Sequence, residues 1–459
     1  MEDDRLLNAG EKKGIHPAFA VVFALNYMMG AGFLTLPRAF VDCSVAVGIG
    51  LTVVIAFGAS VSAECLLDAM ARATDLLSAR ALAEDESLNA LAQRPKRSSP
   101  PRAREQRYPQ LTELCTLFLG DRGNAAYCGL LLCYMTCSLW AYAAIFAAAL
   151  ETHFGCSTST QPLFVALFGV MVVPLTMRDL SEQKNVQTAL AVGRTVMLVV
   201  MIVTAASVMI RDGPLDETRG GDDFLLAAPK TWRDAARASS VVAFAFALHH
   251  SVPQICEPVH SPARPAFELN LVFRRSFCAA ALIYIAFAAT VATYFGDATL
   301  SSANLDWQTY HTDEFAPEMS RALTKMLSQF VVLYPAINVV ASYPLNAITL
   351  GDAILATHRQ YVSLSPDAAT PPGHKIAARV LAACPPLIGA ALVSDISKIT
   401  SVTGVFGIAM CAVVPGLVSL SAKRMVPGVN AHASALNGVG SAILLTIGGT
   451  LLTLSMVFV

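Results

Sequence analysis

Asn26-Tyr27-Met28-Met29-Gly30-Ala31-Gly32-Phe33-Leu34-Thr35-Leu36-Pro37 sits inside an apolar run from Ala18 to Phe40. A helix of roughly 20 mostly apolar residues crosses the ~30 Å hydrocarbon core of a bilayer, so this run is long enough to span one. Its middle is built against helix. Gly30 and Gly32 are weak helix formers, Asn26 brings a polar amide, and Pro37 lacks a backbone donor. A turn unwound inside a span frees backbone amides and carbonyls where water does not compete, and half-helix ends add their dipoles, so it suits a ligand or an ion. The same small residues also let neighbouring helices approach closely. On this segment alone both readings stand.

A second interruption shifts the balance. Phe244-Ala245-Phe246-Ala247-Leu248 runs into His249-His250-Ser251-Val252-Pro253, a polar trio followed by a proline in an otherwise apolar stretch. Ionisable residues inside a membrane are costly and mark substrate or ion pathways, although a buried histidine also serves as a satisfied structural residue. Spans are expected at about Ala18 to Phe40, Ser44 to Met70, Ala125 to Leu150, Pro162 to Met177 and Val186 to Ile210. A second group follows at about Ala236 to Cys256, Phe277 to Tyr294, Leu323 to Leu350, Ala378 to Val393 and Ile399 to Leu420, with one more from Leu436 to Phe458. One break opens each group of five. Matched breaks in two halves are the sequence mark of an inverted-repeat transporter.

The bulk composition agrees with an all-α integral membrane protein of about eleven transmembrane helices. The 459 residues are 55% hydrophobic and only 14% charged, with a mean hydropathy of +0.55. A formal net charge of −1 gives no reason to expect nucleic acid as a partner. The acidic start Met1-Glu2-Asp3-Asp4 is unlike a signal peptide, so the first apolar run is expected to stay as a span. With residues 1–15 as a cytoplasmic tail, inner loops collect about 22 of the 32 Lys and Arg. That places the N-terminus in the cytoplasm and, with an odd span count, the C-terminus outside or in a lumen. The loop Arg211 to Arg237 runs against the trend, and no N-x-[ST] sequon marks the outer side independently. Plasma and endolysosomal membranes are equally compatible.

Between the second and third spans, residues 73–107 carry Arg94, Lys96, Arg97, Arg102, Arg104 and Arg107 around Ser98-Ser99-Pro100-Pro101. This reads as a disordered basic linker and a place for a cytoplasmic partner. In the following stretch, 108–122, Leu111, Leu114, Cys115 and Phe118 share one helical face, which predicts an interfacial helix.

Three further constellations have two readings each. Arg194 in the fifth span lies at a depth similar to Glu64 and Asp68 in the second, which allows a gate-like ion pair or simple snorkelling to headgroups. Ser342, in Ala341-Ser342-Tyr343-Pro344-Leu345-Asn346, offers a hydroxyl to a hard cation or bonds back to its own helix. Cys43 and Cys156 fall in expected outer loops, as a disulfide or as free thiols, while most of the eleven cysteines sit in spans as small apolar fillers. No Cys-x-x-Cys pair, H-x-x-x-H box, H-E-x-x-H, G-x-S-x-G or Gly-Lys pair occurs, so nothing points to a metal site, an intramembrane enzyme or an ATP-driven pump.

The run from Asn26 through Pro37 to Arg38-Ala39-Phe40 resembles the first-span signature of the amino acid/auxin permease family, within the APC superfamily. Val173-Pro174-Leu175, Tyr343-Pro344-Leu345-Asn346 and Ser397-Lys398-Ile399-Thr400-Ser401-Val402-Thr403-Gly404 leading to Pro415 extend the resemblance over nearly the whole chain. Within the family it is most similar to the transmembrane protein 104 branch, through Trp140-Ala141-Tyr142-Ala143-Ala144, the Asp179 to Arg194 stretch and His250-Ser251-Val252-Pro253. The resemblance implies one transporter domain over residues 16–459, with a five-plus-five inverted-repeat, LeuT-like core whose first and sixth helices are discontinuous. It implies amino acid transport by alternating access, coupled to sodium or protons, with no cofactor. By position, Gly30, Ala31 and Gly32 would meet a substrate carboxylate through backbone amides, with Asn26 beside them. Phe246, His249, His250 and Ser251 would line the opposite wall, and Asn26 and Ser342 would serve sodium. A membrane receptor that senses an amino acid and transports little or none is the alternative of a different class.

Overall fold

The computed structural model describes residues 17–30, 32–91, 109–156, 158–177, 184–213, 231–257, 267–309, 321–361, 372–428 and 432–457. Among these residues the chain is all helical. The helices are α1 (Pro17–Met28), α2 (Leu36–Cys43), α3 (Val45–Leu91), α4 (Leu111–Phe154), α5 (Gln161–Thr176), α6 (Lys184–Asp212) and α7 (Trp232–Ala245). They continue as α8 (Val252–Cys256), α9 (Phe267–Phe295), α10 (Arg321–Tyr361), α11 (Pro372–Leu392), α12 (Ile396–Ile408), α13 (Val414–Met425) and α14 (Val439–Val457). A π turn at Ala409–Val413 joins α12 to α13.

Eight of the described helices are long and apolar enough to cross a membrane, and nine if the bent pair α1 and α2 counts as one span. Two of the eleven expected spans fall short of that criterion. One is α5, 16 residues long, and the other is the interrupted pair α7 and α8. Large apolar side chains are exposed along the spans. On α6, Val192, Val196, Val199 and Val203 form an exposed stripe, while Met197, Met201, Ala205 and Val208 are buried on the opposite face. Both faces of such a helix need an apolar neighbour, protein on one side and lipid on the other.

Two expectations are corrected. The second span does not give way to disorder at residue 73: α3 continues to Leu91. The sequence from Ala71 to Leu91 is rich in Ala, Leu, Arg and Glu and holds no glycine or proline, so local propensity sustains the helix beyond the apolar run. The rest of the linker, 92–107, and the tail, 1–15, lie outside the described residues. The stretch expected as a separate interfacial helix is the first part of α4, set off by a non-helical Gly120 (φ 72°, ψ −176°). Its apolar face does not rest on lipid, because Leu111, Leu114, Cys115 and Phe118 are all buried in the protein core. A box between Gln110 and Glu113 caps its start. All eleven cysteines are free, with Cys43 buried and Cys156 exposed.

The core is set by close helix contacts at small residues. α10 packs along α4 and α11, α12 along α7 and α4, and α9 along α3 and α1. At the α7–α12 contact a Cβ on Gly404 would sit inside the van der Waals shell of the Ser240 carbonyl oxygen. Backbone cannot yield there as a flexible side chain would. Gly404→Ala is therefore expected to force the two helices apart and to cost about 1–3 kcal/mol, the range for overpacking. A melting shift of several degrees in detergent relative to Gly373→Ala, where a Cβ meets nothing within 4 Å, checks it.

Candidate functional site

The first break has the form its glycines call for. α1 ends at Met28, Gly30 N–H closes a tight turn onto the Met28 carbonyl at 2.8 Å, and a 3₁₀ turn at Gly32–Thr35 leads into α2 with Pro37 in its first turn. The chain bends by 57° between the two halves. Ala31 lies outside the described residues.

Carbonyls released by this break are taken by a side chain. Arg194 of α6 donates from Nη1 to the Asn26 carbonyl at 3.0 Å and to the Met29 carbonyl, and from Nη2 to Asn338 Oδ1 of α10 at 3.1 Å. The guanidinium is buried and meets no carboxylate among the described residues. Its Nε and the Asn26 Oδ1 are both buried without a hydrogen-bond partner among those residues. Gly30, Phe33, Leu34, Ile145, Tyr334 and Asn338 line a cleft against Arg194.

The second break follows the same plan. α7 ends at Ala245, a 3₁₀ turn covers His249–Ser251, and α8 restarts with Pro253 in its first turn, where a missing N–H costs nothing. The freed Ala245 carbonyl accepts from the Tyr284 hydroxyl of α9 at 3.1 Å. The Cys411 carbonyl on the π turn accepts from Ser62 Oγ of α3. The two breaks touch. A Cβ on Gly32 would come within 2.7 Å of the Phe244 ring and 3.4 Å of Ala245 Cα.

The expected opposite wall is only partly brought to this place. Phe246 is buried with its ring tilted onto Phe277 and Tyr284. His249 turns to α3, where Nε2 donates to the Ala59 carbonyl at 2.9 Å, and this leaves Nδ1 as an acceptor with no partner among the described residues. Ser251 is buried. His250 is the half-buried member, its ring 5.8 Å from that of Tyr134 and its Nδ1 unpartnered among the described residues.

Ser342 belongs to a polar stripe that spacing alone displays. Asn338, Ser342 and Asn346 recur every four residues on α10 and so share one face. Asn346 Nδ2 donates to the Ser342 carbonyl at 3.1 Å, and the Tyr142 hydroxyl of α4 feels the field of Arg194. That hydroxyl lies 3.4 Å from where a Gly30 Cβ would stand. Asn338 and Tyr142 thus lie beside the candidate site without having been expected there. The period of four in an apolar helix was the signal for the first.

The ion pair expected between Arg194 and Glu64 or Asp68 is not made. Glu64 accepts from Arg274 of α9, Nε at 2.5 Å and Nη2 at 2.9 Å, and from Ser434 Oγ at 2.6 Å. Asp68 accepts from Arg72, Nε at 3.0 Å and Nη2 at 3.1 Å, and from Lys423 of α13. Both carboxylates are saturated by nearer bases, and the helix break supplies Arg194 with acceptors that carry no side-chain signature.

The sequence profile described as "Transmembrane amino acid transporter protein" matches residues 13–426. A "Transmembrane protein 104 homolog" from Dictyostelium discoideum is 22% identical, over 88% of this chain and 88% of that protein. Another from Caenorhabditis elegans is 20% identical, over 72% of this chain and 66% of that protein. Among solved structures, the Eremococcus coleocola manganese transporter superposes with a TM-score of 0.54 as a point mutant and 0.51 in complex with an aromatic bis-isothiourea substituted compound. Identity is 12% and 13% respectively, and in both cases 95% of this chain and 84% of the other are covered, so the likeness is one of fold. Among the described residues here no group of three or more His, Cys, Asp or Glu could hold a metal ion. The match across nearly the whole chain, on a fold shared with solved transporters, makes this chain a member of the transmembrane amino acid transporter protein family.

Proposed function

We propose that the chain is a secondary transporter that moves amino acids by alternating access, on an eleven-span scaffold with a five-plus-five inverted-repeat core. The observation that carries this reading is the buried guanidinium of Arg194 at the broken first helix, without a counter-anion among the described residues and with one N–H unused. Beside it stands an unused buried acceptor, Asn26 Oδ1. A buried donor on a cation and a buried acceptor on the neighbouring helix cost free energy until a ligand pairs with both. A zwitterion does so, with its carboxylate toward Arg194 and Gly30 and its ammonium toward Asn26. His250 and Ser342 stand as further candidates for the site's rim.

The same geometry bears on coupling. Carbonyls at a helix break ligate a coupling cation in sodium-driven carriers. Here Arg194 fills that role from within the chain, which favours a proton, or no ion, over sodium. The N-terminus is taken as cytoplasmic and the C-terminus as extracellular or lumenal.

Purified protein in liposomes, tested by counterflow of labelled amino acids with sodium or choline outside and at two pH values, checks the reading. Uptake that is unchanged by sodium removal is the expected result. No uptake of any amino acid under either gradient removes the transport reading, and sodium-dependent accumulation removes the role given to Arg194. The extension of α3 to Leu91 supports one second reading, a sensor that passes ligand occupancy to a partner at the 73–107 linker. Ligand binding without flux would favour it.

A further inference from the structure

Between α9 and α10 the chain makes two 3₁₀ turns, Gly296–Ala298 and Ala303–Thr309, and the second is wedged into the helix bundle. Trp307 is 1% exposed, and its indole N–H donates to Thr204 Oγ1 of α6 at 3.0 Å. Asn304 Nδ2 donates to the Val332 carbonyl of α10 at 3.0 Å, and Ser328 Oγ of α10 donates to the Trp307 carbonyl at 2.7 Å. Gln308 Nε2 donates to the Thr152 carbonyl at the end of α4 at 2.7 Å. Arg38 of α2 holds the start of the segment through the Asp297 and Thr299 carbonyls, at 3.2 and 3.0 Å. The segment is thus a plug gripped by α2, α4, α6 and α10.

Inside this plug lies a carboxyl group that the packing does not provide for. Asp306 is 7% exposed. Its Oδ1 accepts the Leu300 N–H at 2.9 Å, while Oδ2 is buried with no partner among the described residues. Arg38, whose positive field reaches Asp306, is itself paired with Asp42 at 2.8 Å. Glu151 and His153 on α4, Arg211 on α6, Arg321 and Lys325 on α10, and Asp297 within the plug are charged or titratable groups near the same ends of the surrounding elements. None of them donates a hydrogen bond to Asp306 Oδ2. A buried carboxyl with one bare oxygen is cheaper neutral than ionised.

We propose that Asp306 is a proton-binding residue that docks the plug in its neutral form, so that the plug loosens as the solution facing it turns alkaline. Burial pushes the group up to about 8 when docked, against an ordinary aspartate near ~4. The sign follows from linkage: docking is fully supported below the free value, is weakened as pH climbs between the two, and levels off above the docked value. Between those limits one proton separates the docked and released states, so opening gains at most about tenfold per pH unit. The inference concerns the plug alone and does not depend on what the cleft carries.

Hydrogen–deuterium exchange on the full chain in nanodiscs, corrected for intrinsic exchange, tests it between about pH 5.5 and 9, a range that brackets the docked value. Protection of the peptide spanning 303–309 is expected to fall by up to about tenfold per unit and to level near pH 8, while peptides from α12 stay flat. Asp306→Asn, neutral at every pH, is expected to keep the low-pH protection throughout. A flat profile in the unmutated chain overturns the proposal, and so does an unchanged slope in D306N. Should D306N not fold, Arg38→Gln serves, because loss of its positive field must move the levelling point to higher pH. A levelling point that stays in place in R38Q would overturn the assignment to Asp306.

Discussion

Arg194→Ala is expected to reduce amino acid flux in proteoliposomes below detection and to destabilise the protein by about 2–4 kcal/mol, the sum of a few orphaned buried acceptors. The substitution removes one side chain but strands three groups: the Asn26 carbonyl, the Met29 carbonyl and Asn338 Oδ1. All lie where the first helix is already missing its own hydrogen bonds, so the loss falls on the turn that shapes the cleft. Arg194→Lys is expected to be intermediate. An ammonium restores the charge and reaches the carbonyls or the asparagine, but it lacks the planar fork that spans both. A double-mutant cycle with Asn338→Ala should show coupling on the order of 1 kcal/mol, since the two groups share one contact. Normal flux in R194A would remove Arg194 from the site, and strictly additive effects with N338A would mean that the 3.1 Å contact is not used.

Both breaks were legible from residue type, because glycine and proline act through the local backbone and need no partner to do so. Gly30 and Gly32 end α1, and Pro253 restarts the chain as α8. What fills a break was not legible. Arg194 was matched to carboxylates because side-chain charges are visible in a sequence, whereas a carbonyl freed by unwinding belongs to every residue alike. The positions of Phe246 and His249 escaped for a related reason. A broken helix has no single angular period, so the wall each residue faces is set by the turn angles at Phe246 (φ −97°, ψ 4°) and Leu248 (φ −124°, ψ −14°). The stretch after residue 73 failed differently: hydropathy marks where a span leaves the bilayer, but helix propensity decides where the helix ends, and the two are separate quantities.

Asp68 offers the second large effect, and it comes with an internal control. Its carboxylate is 1% exposed and is shared by Arg72 and Lys423, whose side chains are 6% and 13% exposed. Asp68→Asn therefore leaves two buried cations facing each other with no anion between them, and breaking a buried pair in this way costs about 3–5 kcal/mol. Glu64 is as deeply buried, but its basic partner Arg274 is 43% exposed and can turn to water, and the Ser434 hydroxyl still accepts the Leu436 N–H at 3.2 Å. Glu64→Gln also keeps an acceptor for both. Its expected cost is nearer ~1 kcal/mol, as for pairs with one solvated member. Melting of the two variants side by side checks the ranking, with D68N below E64Q by about 2–4 °C. The compensating change sharpens the cause: Lys423→Met added to D68N removes one of the stranded charges and should recover a large part of the loss, although K423M alone destabilises. Asp68 ties α3 to α13 through Lys423, and Arg72 also holds the Val426 carbonyl just beyond α13 at 2.5 Å. These contacts must therefore part if α3 and α13 move relative to each other during transport. A D68N/K423M protein with restored stability but altered flux would place this cluster among the groups that govern opening, while restored stability with unchanged flux would make it a structural clamp only.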